Sequence, residues 1–256
     1  MEKIILIGAF GLAWGSFLNV VIYRVPLGLS LVHPPSSCPA CKTRIKFYDN
    51  IPGLSYIILR GKCRSCGKPI PFTYFLVEWL TPAAFLVLYG RYGIRWPFFA
   101  ACLFSSLLIV LGFIDFYHKI LPDRIILPGI AISLIYSFFR PDLTFWKAVI
   151  GAAVGAGFLL FIYGAYYLVR KKEGLGLGDV TMMLMVGAYL GWQKTLLTLI
   201  LASFTGALVG ILLVLVKKKN LQYSLPYGTF LAPAAWVALV WGDRLISAYL
   251  SMIPTG

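Results

Sequence analysis

Pro97-Phe98-Phe99-Ala100-Ala101-Cys102-Leu103-Phe104-Ser105-Ser106-Leu107-Leu108-Ile109-Val110-Leu111-Gly112-Phe113-Ile114 runs without a charged side chain and then meets Asp115. A stretch of this length and character matches the roughly 20 apolar residues a helix needs to cross a bilayer. Ionisable groups at membrane depth are rare and expensive, so an acid closing such a run is a functional candidate by default.

Seven comparable runs lie near residues 4 to 23, 73 to 92, 122 to 139, 146 to 169, 180 to 192, 195 to 216 and 229 to 250. The pattern predicts an all-α polytopic membrane protein with about eight transmembrane helices. The run at 180 to 192 is short, and Gly187 and Gly191 fit either a half-span or a helix tilting into its successor, so seven spans is the alternative. Composition agrees, with 60% of the 256 residues hydrophobic and 12% charged and a mean hydropathy of +0.84. An average soluble chain is roughly 25% charged, so a soluble domain and a disordered chain are both excluded.

The net charge of +14 does not point to nucleic acid, because the bases sort by loop. In the eight-span arrangement one side collects Arg24 to Lys68, Lys119, Arg124, Arg170 to Lys172 and Lys217 to Lys219, sixteen in all, and the other side seven. The positive-inside rule then puts residues 24–72 in the cytoplasm, both termini outside, and lipid around the spans. Glu2 and Lys3 supply almost no positive leader, and Tyr23-Arg24-Val25-Pro26 is a poor cleavage site, so residues 1–23 are expected to be a retained first helix.

Residues 24–72 form the main polar segment and carry Cys38-x-x-Cys41 and Cys63-x-x-Cys66, with 21 residues between the pairs. Two residues between thiolates let one tight knuckle present both sulfurs to a tetrahedral ion, and two knuckles complete a closed four-thiolate zinc site. The followers Cys41-Lys42-Thr43-Arg44-Ile45 and Cys66-Gly67-Lys68-Pro69-Ile70 read as equivalent turns. Disulfides are the competing reading, which a reducing cytosol disfavours. With every position filled by protein, the zinc is expected to be structural, stapling a zinc-ribbon-like domain too small to build a core. Cys102 reads as a small packing residue and His33 and His118 as loop histidines.

Carboxylates are scarce, so Glu78, Asp115, Asp123 and Asp179 stand out near the cytoplasmic ends of the spans. Asp179 ends Glu173-Gly174-Leu175-Gly176-Leu177-Gly178-Asp179, whose alternating glycines allow close backbone approach. A phosphate cradle is a poor reading, since an acid sits where the anion would go. Two carboxylates in a low-dielectric cleft cannot both ionise, so one keeps a proton and the other activates water, as in an aspartic protease. For Asp123, in Leu121-Pro122-Asp123, helix capping is the bland alternative.

These residues resemble the bifunctional type IV prepilin peptidases, also called leader peptidase/N-methyltransferases. The resemblance covers almost the whole chain. It rests on Gly15-Ser16-Phe17-Leu18-Asn19-Val20-Val21-Ile22-Tyr23-Arg24, the cysteine tetrad framing Asn50-Ile51-Pro52 and Leu54-Ser55-Tyr56, Leu59-Arg60-Gly61-Lys62-Cys63, Glu78, Asp115 through Leu121-Pro122-Asp123, and Gly176-Leu177-Gly178-Asp179, which looks like the GxGD signature of membrane aspartyl proteases. The resemblance implies cleavage of the basic leader of prepilins or pseudopilins after a Gly at the cytoplasmic face of a bacterial inner membrane, in pilus or type II secretion systems. It also implies methylation of the new N-terminal residue from S-adenosylmethionine. The family's catalytic pair maps onto Asp115 and Asp179, with Gly176, Gly178, Asp123, Glu78 and Asn19 as supporting residues. Residues 73–256 become the peptidase part and residues 24–72 part of the methyltransferase, although no Gly-rich nucleotide loop is visible there. Thr181 stands where many members carry Lys.

Three alternatives remain open from sequence: a peptidase without methyl transfer, a proton-coupled transporter with a regulatory zinc domain, and a noncatalytic zinc scaffold. No inverted repeat supports the transporter, and its acids would be expected nearer the bilayer midplane. Gly11 with Gly15, Gly151 with Gly155, and Gly206 with Gly210 have the spacing of helix-packing positions, and oligomeric state is open.

Overall fold

The computed structural model describes residues 1–171, 176–217 and 225–252. Among these every extended regular element is a helix: α1 (Glu2–Arg24), α2 (Leu54–Ile58), α3 (Phe72–Tyr92), α4 (Trp96–His118), α5 (Asp123–Ser137), α6 (Phe145–Arg170), α7 (Leu177–Leu190), α8 (Trp192–Lys217) and α9 (Gly228–Ser251). Each expected apolar run is a helix, and α2 is a short addition inside the cysteine segment.

Six helices (α1, α3, α4, α6, α8 and α9) are long and apolar enough to cross a membrane. The other three are shorter, α2 with 5 residues, α5 with 15 and α7 with 14. At 1.5 Å per residue α5 and α7 reach about 21–23 Å, short of a hydrocarbon core of roughly 30 Å. α7 is a helix of its own: Gly191, at φ +77°, breaks the chain before α8 begins, a conformation glycine adopts without a Cβ clash. The architecture is that of an all-α multi-pass membrane protein.

By packing, the chain divides into Met1–Val110 and Leu111–Gly256. In the first unit the cysteine segment is tied to both flanking helices. α1 and α3 approach closely: a Cβ on Gly11 would stand 2.6 Å from Pro82 Cα, and one on Gly15 would stand 2.9 Å from Glu78 Cα. Asn19 Nδ2 donates to the Tyr74 carbonyl at 2.9 Å, and Trp14 Nε1 donates to Ser106 Oγ at 2.9 Å. At the end of α1, the Arg24 guanidinium gathers the following loop by donating to the carbonyls of Ser30 (2.8 Å) and Pro34 (2.6 Å).

In the second unit α7 is the enclosed element, with Met182, Met183, Met185 and Val186 fully buried. Its backbone meets that of α6, so that a Cβ on Gly151 or Gly187 would collide with the other's carbonyl, and one on Gly155 would stand 2.9 Å from the Met183 carbonyl. Gly206 and Gly210 are looser, their nearest neighbours being Phe230 at 3.6 Å and Leu225 at 3.3 Å. The far end of α7 is clamped by Arg140, which donates to the Tyr189 carbonyl at 2.8 Å. The same guanidinium lies 5.5 Å and 5.7 Å from the Tyr136 and Tyr189 rings, within cation–π range, and pairs with Asp142, whose carboxyl it holds below the usual range. Lys194 and Asp243 join α8 to α9 at 2.9 Å.

Gly187→Ala is expected to destabilise the protein by about 1–3 kcal/mol through overpacking. Gly157→Ala, where nothing lies within 4 Å, should be neutral or slightly stabilising. Thermal unfolding of the two variants in detergent checks the contrast.

Candidate active site and metal centre

The two cysteine pairs sit on matched backbone turns. Cys38 N–H donates to the Thr43 carbonyl (3.0 Å) and Lys42 N–H to the Cys38 carbonyl (2.8 Å); Cys63 N–H donates to Lys68 (2.8 Å) and Gly67 N–H to Cys63 (2.9 Å). The residue after each second cysteine is left-handed, Lys42 at φ +60° and Gly67 at +69°. Each turn closes with one antiparallel bridge, Ser37 to Arg44 and Lys62 to Pro69. The equivalence expected from sequence is therefore present in the backbone.

These turns bring the four Sγ atoms within 4.8 Å of one another, with Cys38 and Cys66 3.9 Å apart. Four thiolates about 2.3 Å from one tetrahedral ion stand roughly 3.8 Å apart, so the donors fit a single metal ion. All four cysteines are free thiols rather than disulfide partners. Hydrogen bonding with the Thr43 hydroxyl and backbone holds the Cys41 thiol down at about 6. Arg64 grips Asp49 through paired bonds of 2.6–2.9 Å, tying the turn at Phe47–Asp49 to the second knuckle. Glu78 Oε2 accepts the Gly53 N–H at 2.7 Å, anchoring the segment to α3. Within the first unit, then, Glu78 and Asn19 act as ties between helices and loop.

The second unit gathers Asp115 and Asp179. Asp115 is in the last turn of α4 and Asp179 in the first turn of α7, and they are only 4% and 7% exposed. The backbone N–H of Gly228, at the start of α9, faces both carboxylates. Asp115 Oδ2 also accepts the Thr229 N–H at 2.7 Å and the Thr229 hydroxyl at 3.2 Å. Glycine allows close approach on several sides of this cluster. A Cβ on Gly178 would stand 2.9 Å from Leu121 Cβ, one on Gly228 3.0 Å from Asp115 Oδ2, and one on Gly176 3.3 Å from Asp179 Oδ2. Gly174, part of the same glycine pattern, lies outside the described residues.

The remaining candidates fall elsewhere. Asp123 is exposed in the first turn of α5, where Pro122 is the N-cap and no side chain caps the helix; an acid there favours the helix dipole. Thr181 Oγ1 donates to the Gly178 carbonyl at 3.0 Å. Cys102 is buried, and His33 and His118 are exposed. Sequence reasoning missed Gly228, Thr229 and Arg140. Pro226-Tyr227-Gly228-Thr229 before an apolar run was a visible turn signal, but nothing local connects it to an acid 114 residues earlier.

A multi-pass helical protein with a four-thiolate centre in one unit and two buried, neighbouring aspartates in the other is the class these features define. The chain belongs to the type IV leader peptidase family, which matches residues 102–211, while the bacterial peptidase A24 N-terminal domain matches residues 9–92. Among curated relatives, the prepilin leader peptidase/N-methyltransferase of Pseudomonas putida is 37% identical over 265 residues, covering 95% of this chain and 92% of the relative. The protein of that name from Aeromonas hydrophila is 37% identical over 270 residues, covering 96% and 93%. The one from Myxococcus xanthus is 44% identical over 207 residues, covering 80% and 61%. No solved structure matches the chain.

Cys41→Ser and Cys66→Ser are each expected to reduce bound metal from near-stoichiometric to a small fraction, measured by elemental analysis of the purified protein. A variant that keeps its metal would remove that cysteine from the ligand set.

Proposed function

We propose that this chain is a membrane aspartyl endopeptidase that removes the short basic leader of type IV prepilins or pseudopilins after a glycine. It then methylates the freed N-terminus with S-adenosylmethionine. The observation that carries this reading is the pair of buried carboxylates, Asp115 and Asp179, facing one backbone N–H at Gly228. Both activities appear in the names of relatives aligned over more than nine-tenths of this chain.

Two carboxylates enclosed together hold one proton between them. The ionised acid takes a proton from water as its oxygen attacks the scissile carbonyl carbon, while the neutral acid gives its proton to the carbonyl oxygen. Collapse of the resulting diol breaks the C–N bond. The first acid then protonates the leaving amine, and the second recovers its proton from a diol hydroxyl, which resets the pair. In the second reaction the new amine nitrogen attacks the sulfonium methyl, the methyl C–S bond breaks, S-adenosylhomocysteine leaves and the amine loses a proton. That reaction is assigned to the N-terminal part of the chain, including α1 and residues 24–72.

Both the cysteine segment and the carboxylate pair are placed at the cytoplasmic face of a bacterial inner membrane. The excess of Lys and Arg in the loops on that side supports this. So does the position of the two acids, at the end of α4 and the start of α7, rather than mid-helix. Zinc is the ion that best suits four thiolates at tetrahedral spacing. With no open coordination position it staples residues 24–72 and takes no part in either reaction.

Asp115→Asn and Asp179→Asn are each expected to lower cleavage of a prepilin-type substrate in liposomes by about 10²–10⁴-fold, with unchanged melting temperature. Mass spectrometry of the wild-type product should show one added methyl, dependent on S-adenosylmethionine. Wild-type cleavage by either variant would exclude that residue from the catalytic pair and return the transporter reading; a product lacking the methyl would leave the peptidase alone.

A further inference from the structure

The two aspartates are held differently. Asp115 lies at the C-terminal end of α4, where the helix presents its negative pole and a carboxylate is disfavoured. The compensation comes from α9, whose opening turn points donors at a single oxygen. Thr229 supplies two of them, its backbone N–H at 2.7 Å and its hydroxyl at 3.2 Å from Asp115 Oδ2. The Thr229 hydroxyl also lies 3.4 Å from the Gly112 carbonyl, one turn back on α4. α4 and α9 are close at this level, since a Cβ on Gly112 would stand 2.9 Å from Ala232 Cβ. Asp179 is met by the backbone at Gly176 and Gly228.

Hydrogen bonds to a carboxylate are strongest when it is ionised. Of two acids sharing one proton, the one with more fixed donors keeps the charge. Building on the proposed catalytic pair, we propose that Thr229 is a positioning residue that pins Asp115 Oδ2, making Asp115 the acid that takes the proton from water and leaving the shared proton on Asp179. The pin also fixes the plane of the Asp115 carboxylate, so its other oxygen has a defined direction in which to meet water.

Two substitutions separate this role from packing. Thr229→Val keeps the branched shape and the backbone N–H but removes the hydroxyl; Thr229→Ser keeps the hydroxyl and removes the methyl. With a prepilin-type substrate in liposomes, Thr229→Ser is expected to stay within about twofold of the wild-type kcat, and Thr229→Val to lose about tenfold in kcat with KM unchanged. Wild-type kcat in Thr229→Val, equal impairment of both variants, or a loss confined to KM would overturn the proposal. Melting temperatures of both variants confirm that folded enzyme is being compared. The outcome is distinguishable from failure of the catalytic reading. If the Asp115→Asn and Asp179→Asn variants are inactive while Thr229→Val is normal, only the role of Thr229 falls; if those two variants cleave normally, the pair itself falls.

Discussion

A charged or polar group enclosed among apolar helices must find its partners within the protein, because leaving it unpaired costs several kcal/mol. The second unit is organised around that constraint. Its two acids meet the opening turns of α7 and α9, where backbone N–H groups lack intrahelical partners and are available as donors. Glycine at 176, 178 and 228 lets the backbone and Leu121 come close enough to serve them. Even the enclosure of α7, short and mostly buried, follows: a helix that starts on a buried carboxylate needs protein rather than lipid around it.

The first unit solves a different problem. Residues 24–72 include exposed apolar side chains such as Phe47, Ile57 and Ile58 and are too few to bury a core of their own. Their order comes from fixed points: the thiolate cluster, Arg24 on the loop carbonyls, Arg64 on Asp49, and Glu78 on Gly53. Two of these are bonds made by guanidinium groups, stronger than neutral ones of the same geometry.

What was legible in the sequence follows the range of each signal. The long helices were readable because apolarity is summed over some twenty consecutive residues, and the cysteine turns because their spacing is local. α5 was readable as a helix but not in length, since its hydropathy does not mark an end, whereas α7 was already short in the sequence, and its stop is the positive φ of Gly191. Asp115 and Asp179 stood out as rare charges, yet the backbone that serves them did not, because Thr229 is ordinary in composition and meets Asp115 across 114 residues. Arg140 was counted only as a loop base, and its place between two tyrosines depends on a contact 49 residues away. Glu78 and Asn19 stood out as polar residues in apolar helices, and their bonds tie helix to loop and helix to helix.

The clamp of Tyr136, Arg140 and Tyr189 grips α7 at the end opposite its aspartate, about 15 Å away along the axis. A helix turns about 100° per residue, so the clamp and the Gly151–Gly187 contact together set the rotational phase of the rod. A slip of one residue would swing the Asp179 side chain a quarter-turn or more away from Gly228. The angular aim of the acid is thus governed from a site that contains none of its chemistry.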